Sequence, residues 1–94
     1  MTREEALKII KDESLTNYKW FTNEWIGNRR IWQDYVAISY TGGKWLTYII
    51  DERDSVMDGT QRYFSSEDEA IDSFIKRLRG VNEIIEMEVA TRKK

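Results

Sequence analysis

The chain has 94 residues, 40% of them hydrophobic and 34% charged, with 15 basic and 17 acidic side chains and a formal net charge of −2. That length suits one modest core, read as a single domain over 1–94, and the apolar share is enough to offset the entropy of ordering it. Cysteine, histidine and proline are all absent, which excludes disulfide frameworks, thiolate or imidazole metal sites and Pro-rich linkers, so no cofactor is expected.

Met1-Thr2-Arg3-Glu4-Glu5 is charged where a secretory signal would turn apolar, and no run approaches the roughly 20 apolar residues of a membrane span. The expectation is a cytoplasmic protein with no membrane contact. Arg3 to Ser14 sets Ala6, Leu7, Ile10 and Ser14 on one side and mostly charged residues on the other, which predicts a helix. Thr2 with Glu5 three positions on forms a capping-box pattern at its start.

Helical periodicity then stops. Tyr18–Ile26, Ile31–Thr41 and Lys44–Ile50 are rich in aromatic and β-branched residues, and each reads as a strand. Gly27-Asn28 marks a turn between the first two, and Gly42-Gly43 suits a tight hairpin between the second and third. Asp58-Gly59 precedes a fourth strand over Thr60–Phe64, after a looser connection from Asp51 to Gly59.

Ser66 followed by Glu67, Asp68 and Glu69 is a helix start, because the hydroxyl can cap an end amide and the acids favour the positive end of the dipole. Ala70, Ile71, Phe74, Ile75 and Leu78 form the apolar stripe, and Gly80 should end or kink the helix. Helical spacing resumes through Val81, Ile84, Ile85, Glu88 and Val89. The plan is α+β: an antiparallel four-stranded meander with an N-terminal helix and one or two C-terminal helices packed on one face. Strand three is apolar at both parities, with Leu46, Tyr48 and Ile50 on one side and Trp45 and Ile49 on the other. A sheet covered on one side only should alternate more cleanly.

Chemistry is sparse. Without histidine or cysteine the usual general base and thiolate nucleophile are missing, and no phosphate loop, nucleophile elbow or calcium-loop spacing occurs. No catalytic residue is assigned and no enzyme is expected. Between Asp51 and Asp72 there are eight acidic residues against Arg53 and Arg62. Those from Glu67 onward serve the helix start, whereas Asp51, Glu52, Asp54 and Asp58 are candidates for an acidic edge facing a basic partner.

Four tryptophans and five tyrosines crowd the strands. Core packing is the first explanation for each, but a domain of this size has limited room for them, and three or four should stay exposed as binding anchors. Trp45 is the leading candidate, because a two-residue Gly42-Gly43 turn pairs it with Tyr40, whereas a three-residue turn would flip that register and move it to the other face. The aromatics are not interleaved with basic residues, which argues against a single-stranded nucleic-acid binder.

A charged first helix, a Trp/Tyr-rich meander and the passage YFSSEDEAIDSFIKRL from Tyr63 to Leu78 together resemble the small immunity proteins encoded beside bacterial polymorphic toxins. The resemblance is greatest to the group catalogued as immunity protein fifty-nine. It implies a non-catalytic protein that binds a cognate toxin domain, basic at the contact, and blocks it. The rival reading is a small module that self-associates as a homodimer through the aromatic sheet face.

Overall fold

The computed structural model describes residues 1–21, 34–51 and 55–92. The elements are α1 (Arg3–Asp12), β1 (Tyr18–Trp20), β2 (Tyr35–Thr41), β3 (Lys44–Ile50), β4 (Arg62–Phe64) and α2 (Glu67–Arg92). The α+β class is as expected, with one sheet in the order β1-β2-β3-β4. The sheet is mixed, however, and this corrects the antiparallel meander: β1 runs parallel to β2, in the register Tyr18↔Val36 to Trp20↔Ile38. Residues 21–34 connect the two strands, which is the dozen or more that a crossover between parallel neighbours needs. The turn read at Gly27-Asn28, with Trp25 and Trp32, lies outside the described residues.

α1 starts as its sequence predicts: the Thr2 hydroxyl accepts from the Glu5 amide and the Glu5 carboxylate accepts from the Thr2 amide, both at 3.2 Å. It stops at Asp12, two residues short of the predicted end. Ser14 adopts φ +53, the Ser14 amide bonds the Lys11 carbonyl at 3.2 Å, and the Leu15 amide reaches back to the Ile10 carbonyl at 2.9 Å. This is a Schellman ending with serine where glycine is usual. Ser14 is therefore exposed outside the helix, not on its apolar face.

β2 and β3 form the hairpin that Gly42-Gly43 predicts. Thr41↔Lys44 and Tyr40↔Trp45 are paired, and φ of +62 and +78 at the two glycines makes a type I′ turn that matches the strand twist. The register sends Val36, Ile38, Trp45, Thr47 and Ile49 to one face and Tyr35, Ala37, Leu46, Tyr48 and Ile50 to the other.

α2 covers the first face. Its predicted stripe, Ala70, Ile71, Phe74, Ile75 and Leu78, is buried with Ala6 and Ile10 of α1 and Val36 and Ile38 of β2. The Phe74 ring meets Trp20 at 5.5 Å and Tyr18 edge-on at 6.4 Å. The Ser66 hydroxyl accepts from the Glu69 amide at 3.3 Å, as the helix-start pattern requires. Gly80 does not end the helix, which runs on as one element to Arg92. A helical glycine costs about 1 kcal/mol relative to alanine, less than the burial of Leu78 and Ile85 on either side returns.

Candidate functional site

The face away from α2 is not uniform. At the end nearest the start of β2, Tyr35, Ala37 and Ile50 are buried, with Tyr48 packed against them as a second apolar cluster. Toward the hairpin the surface opens into a concavity of about 530 Å³ lined by Phe21, Ser39, Tyr40, Thr41, Leu46, Tyr48, Val56 and Gln61. None of these side chains is charged. Cross-strand pairing places Tyr63 of β4 beside Leu46, and Tyr63 is 61% exposed. Burial pushes the half-buried Tyr48 phenol above its ordinary pKa, so it stays neutral throughout the physiological range.

The wall formed by residues 55–61 is wired to the edge of β3. The Thr60 hydroxyl accepts from the Ile49 amide at 3.1 Å and donates to the Met57 carbonyl at 2.7 Å, while the Met57 amide bonds the Ile49 carbonyl at 2.9 Å. Thus a side chain continues the ladder where β4 no longer does. Arg77 of α2 reaches the Thr60 carbonyl from the other side of the sheet, at 2.5 Å. Burial, with Arg62 nearby, lowers the Arg77 pKa, which still leaves the group charged. Val56 is held at this wall by its bridge to Ile50 and is 43% exposed.

The residues singled out from sequence do not converge on one spot. Tyr40 and Trp45 do meet, with ring centroids 4.7 Å apart, and Tyr40 is 54% exposed. But cross-strand partners share a face, so both side chains lie on the α2 side of the sheet, with Trp45 half-buried against the main core. Asp51 stands at the opposite end of β3, about 20 Å from Trp45 at the usual rise per residue. Its carboxylate accepts from the Ser55 amide at 3.0 Å, and its own amide donates to the Ser55 carbonyl at 2.8 Å, so it closes the loop. Asp58 is exposed at the turn made by Gly59, whose φ is +80. Glu52 and Asp54 lie outside the described residues.

Of the described tyrosines and tryptophans, Tyr40 and Tyr63 are exposed, Tyr35 is buried and the others are half-buried. Leu46, Tyr63 and Val56 are the surface residues that sequence reasoning passed over. The available signal was the apolar content of strand three at both parities, which is why Leu46 has an apolar neighbour on each face of its strand. No group of three or more potential metal ligands occurs among the described residues, and no described helix is long and apolar enough to cross a membrane. Comparison with protein-family models, with curated proteins and with solved structures found no match to this chain.

Proposed function

We propose that this chain is a non-catalytic protein-binding module of the toxin-immunity kind, and that it engages its partner through the concave sheet face beside the β2–β3 hairpin. The observation that carries the reading is the uncharged aromatic and hydroxyl lining of that concavity, with exposed Tyr63 beside Leu46 at its margin. Tyrosine supplies large contact area at low entropic cost, and desolvating a neutral surface is inexpensive. The lack of Lys and Arg in the lining favours a protein over a nucleic acid, whose binding rests on phosphate neutralisation. Missing histidine and cysteine accord with a role in which binding is the whole function.

The acidic residues take a secondary part in this account. Exposed Asp58 would steer a basic partner, raising the association rate without anchoring the complex. The reading expects a toxin-like domain encoded beside this chain. That domain, purified, should bind the chain with one-to-one stoichiometry and lose its activity on binding. A neighbouring product that neither binds nor is inhibited would contradict the immunity role.

A further inference from the structure

Phe21 closes the concavity on the β1 side. It follows Trp20, which pairs with Ile38, so the row Phe21, Ser39, Leu46 and Tyr63 runs the width of the sheet with an aromatic ring at each end. Its backbone is unusual: φ is +53, a left-handed conformation that bulky side chains rarely adopt. Such outliers persist only where their surroundings over-determine them, and they gather at binding sites. Three contacts hold Phe21 in place. Its amide donates to the Ile38 carbonyl at 2.9 Å, Trp20 meets its ring edge-on at 4.9 Å, and the Arg3 guanidinium lies over the ring, 4.1 Å from its centroid. Arg3 is itself fixed, because its Nε donates to the Glu67 carboxylate at 2.5 Å. The first residues of α1 and α2 together aim the cation at the ring.

We propose that Phe21 contacts the partner on the concave face, at the opposite end of the row from Tyr63, and that Arg3 is a positioning residue that acts through Phe21. This assignment rests on the concave face being the partner surface. A cation–π contact attracts only while the ring keeps its orientation, so Arg3 narrows the conformers that Phe21 samples before the partner arrives. A wall already in its bound shape binds more tightly.

The test is a double-mutant cycle on affinity for the toxin-like domain encoded beside this chain, read by titration calorimetry, with Tyr63→Ala as the reference for the face. Phe21→Leu keeps apolar packing but removes the ring, and should weaken binding by about tenfold or more. Arg3→Ala should weaken binding by about threefold in the native chain and leave it unchanged in Phe21→Leu, a pattern that neither a general loss of stability nor a direct Arg3 contact produces. The stack is also readable without a partner. In the free chain the Arg3 Nε–H proton should move downfield in Phe21→Leu as the ring current is lost, and a proton indifferent to that substitution would overturn the proposal. So would an Arg3→Ala effect that persists in Phe21→Leu. If Tyr63→Ala weakens binding while Phe21→Leu and Arg3→Ala do not, the proposal fails and the partner surface stands; if Tyr63→Ala also binds as wild type, the partner surface fails with it.

Discussion

The buried carboxamide of Asn82 pairs with the backbone of Thr16 as a strand would. Its oxygen accepts from the Thr16 amide at 2.8 Å, and its nitrogen donates to the Thr16 carbonyl at 2.8 Å and to the Leu78 carbonyl at 2.9 Å. The link fastens the α1–β1 connection to α2, 66 residues away. Asn82→Ala leaves both Thr16 backbone groups without this partner in a part-buried site, and should cost about 2–3 kcal/mol in urea unfolding. A loss below about 0.5 kcal/mol would show that water replaces the carboxamide at no cost.

Phe74 is fully buried between α2 and the rings of Tyr18 and Trp20. Phe74→Ala should cost roughly 3–5 kcal/mol, a large fraction of the stability of a domain this size. An unchanged thermal midpoint would mean that α2 does not pack through this residue.

Ser14 is strained where glycine would not be. With φ of +53 and an exposed side chain, Ser14→Gly should stabilise the chain by about 0.5–1 kcal/mol, against the usual direction for glycine substitutions. Thermal unfolding of the pair of proteins checks the sign.

Glu13 accepts two bonds from the Arg79 guanidinium, and that hydrogen bonding holds its carboxyl below the usual carboxylate range. A carboxyl depressed by folding adds stability that is complete above its unfolded-state pKa and is lost as pH falls through the folded value. Glu13→Gln should therefore flatten the acid limb of the stability profile and leave its alkaline side unmoved. Because the pair is solvent-exposed the effect will be small, and it should shrink further in high salt.

The elements visible in the sequence are those whose evidence is local. The Thr2 and Ser66 caps, the Gly42-Gly43 turn and the Phe74 stripe each depend on residues within a turn or two of one another. The direction of β1 was not visible, because alternation is the same for parallel and antiparallel strands and only the length of the connection distinguishes them. Of the two readings of Gly80, an ending fails because its intrinsic preference is weaker than the burial on both sides of it. The candidate site was half legible. Tyr40 opposite Trp45 follows from the turn, but which face carries α2 is a tertiary fact, and it puts Trp45 on the covered side and leaves Leu46 and Tyr63 on the other. Asp51 looked like a rim charge, yet its position relative to Ser55 gives it a loop-closing bond that no composition pattern reveals.

Charge at the rim and contact on the face should separate kinetically. Asp58→Lys is expected to slow association with a basic toxin domain and to flatten its salt dependence, with the dissociation rate unchanged. Association rates over a salt series measure this. Equal rates and equal slopes for both proteins would remove the acidic loop from the encounter.

The claim that the concave sheet face is the partner surface is tested most directly by the dissociation rate of Tyr63→Ala from the cognate toxin domain. Tyr63 is 61% exposed, so its truncation should leave the thermal midpoint nearly unaltered. As an anchor beside Leu46 it should speed dissociation by about tenfold or more, equivalent to 1.4 kcal/mol or above. If Tyr63→Ala and Leu46→Glu both fold and both dissociate at the wild-type rate, the partner binds elsewhere and the proposed face is wrong.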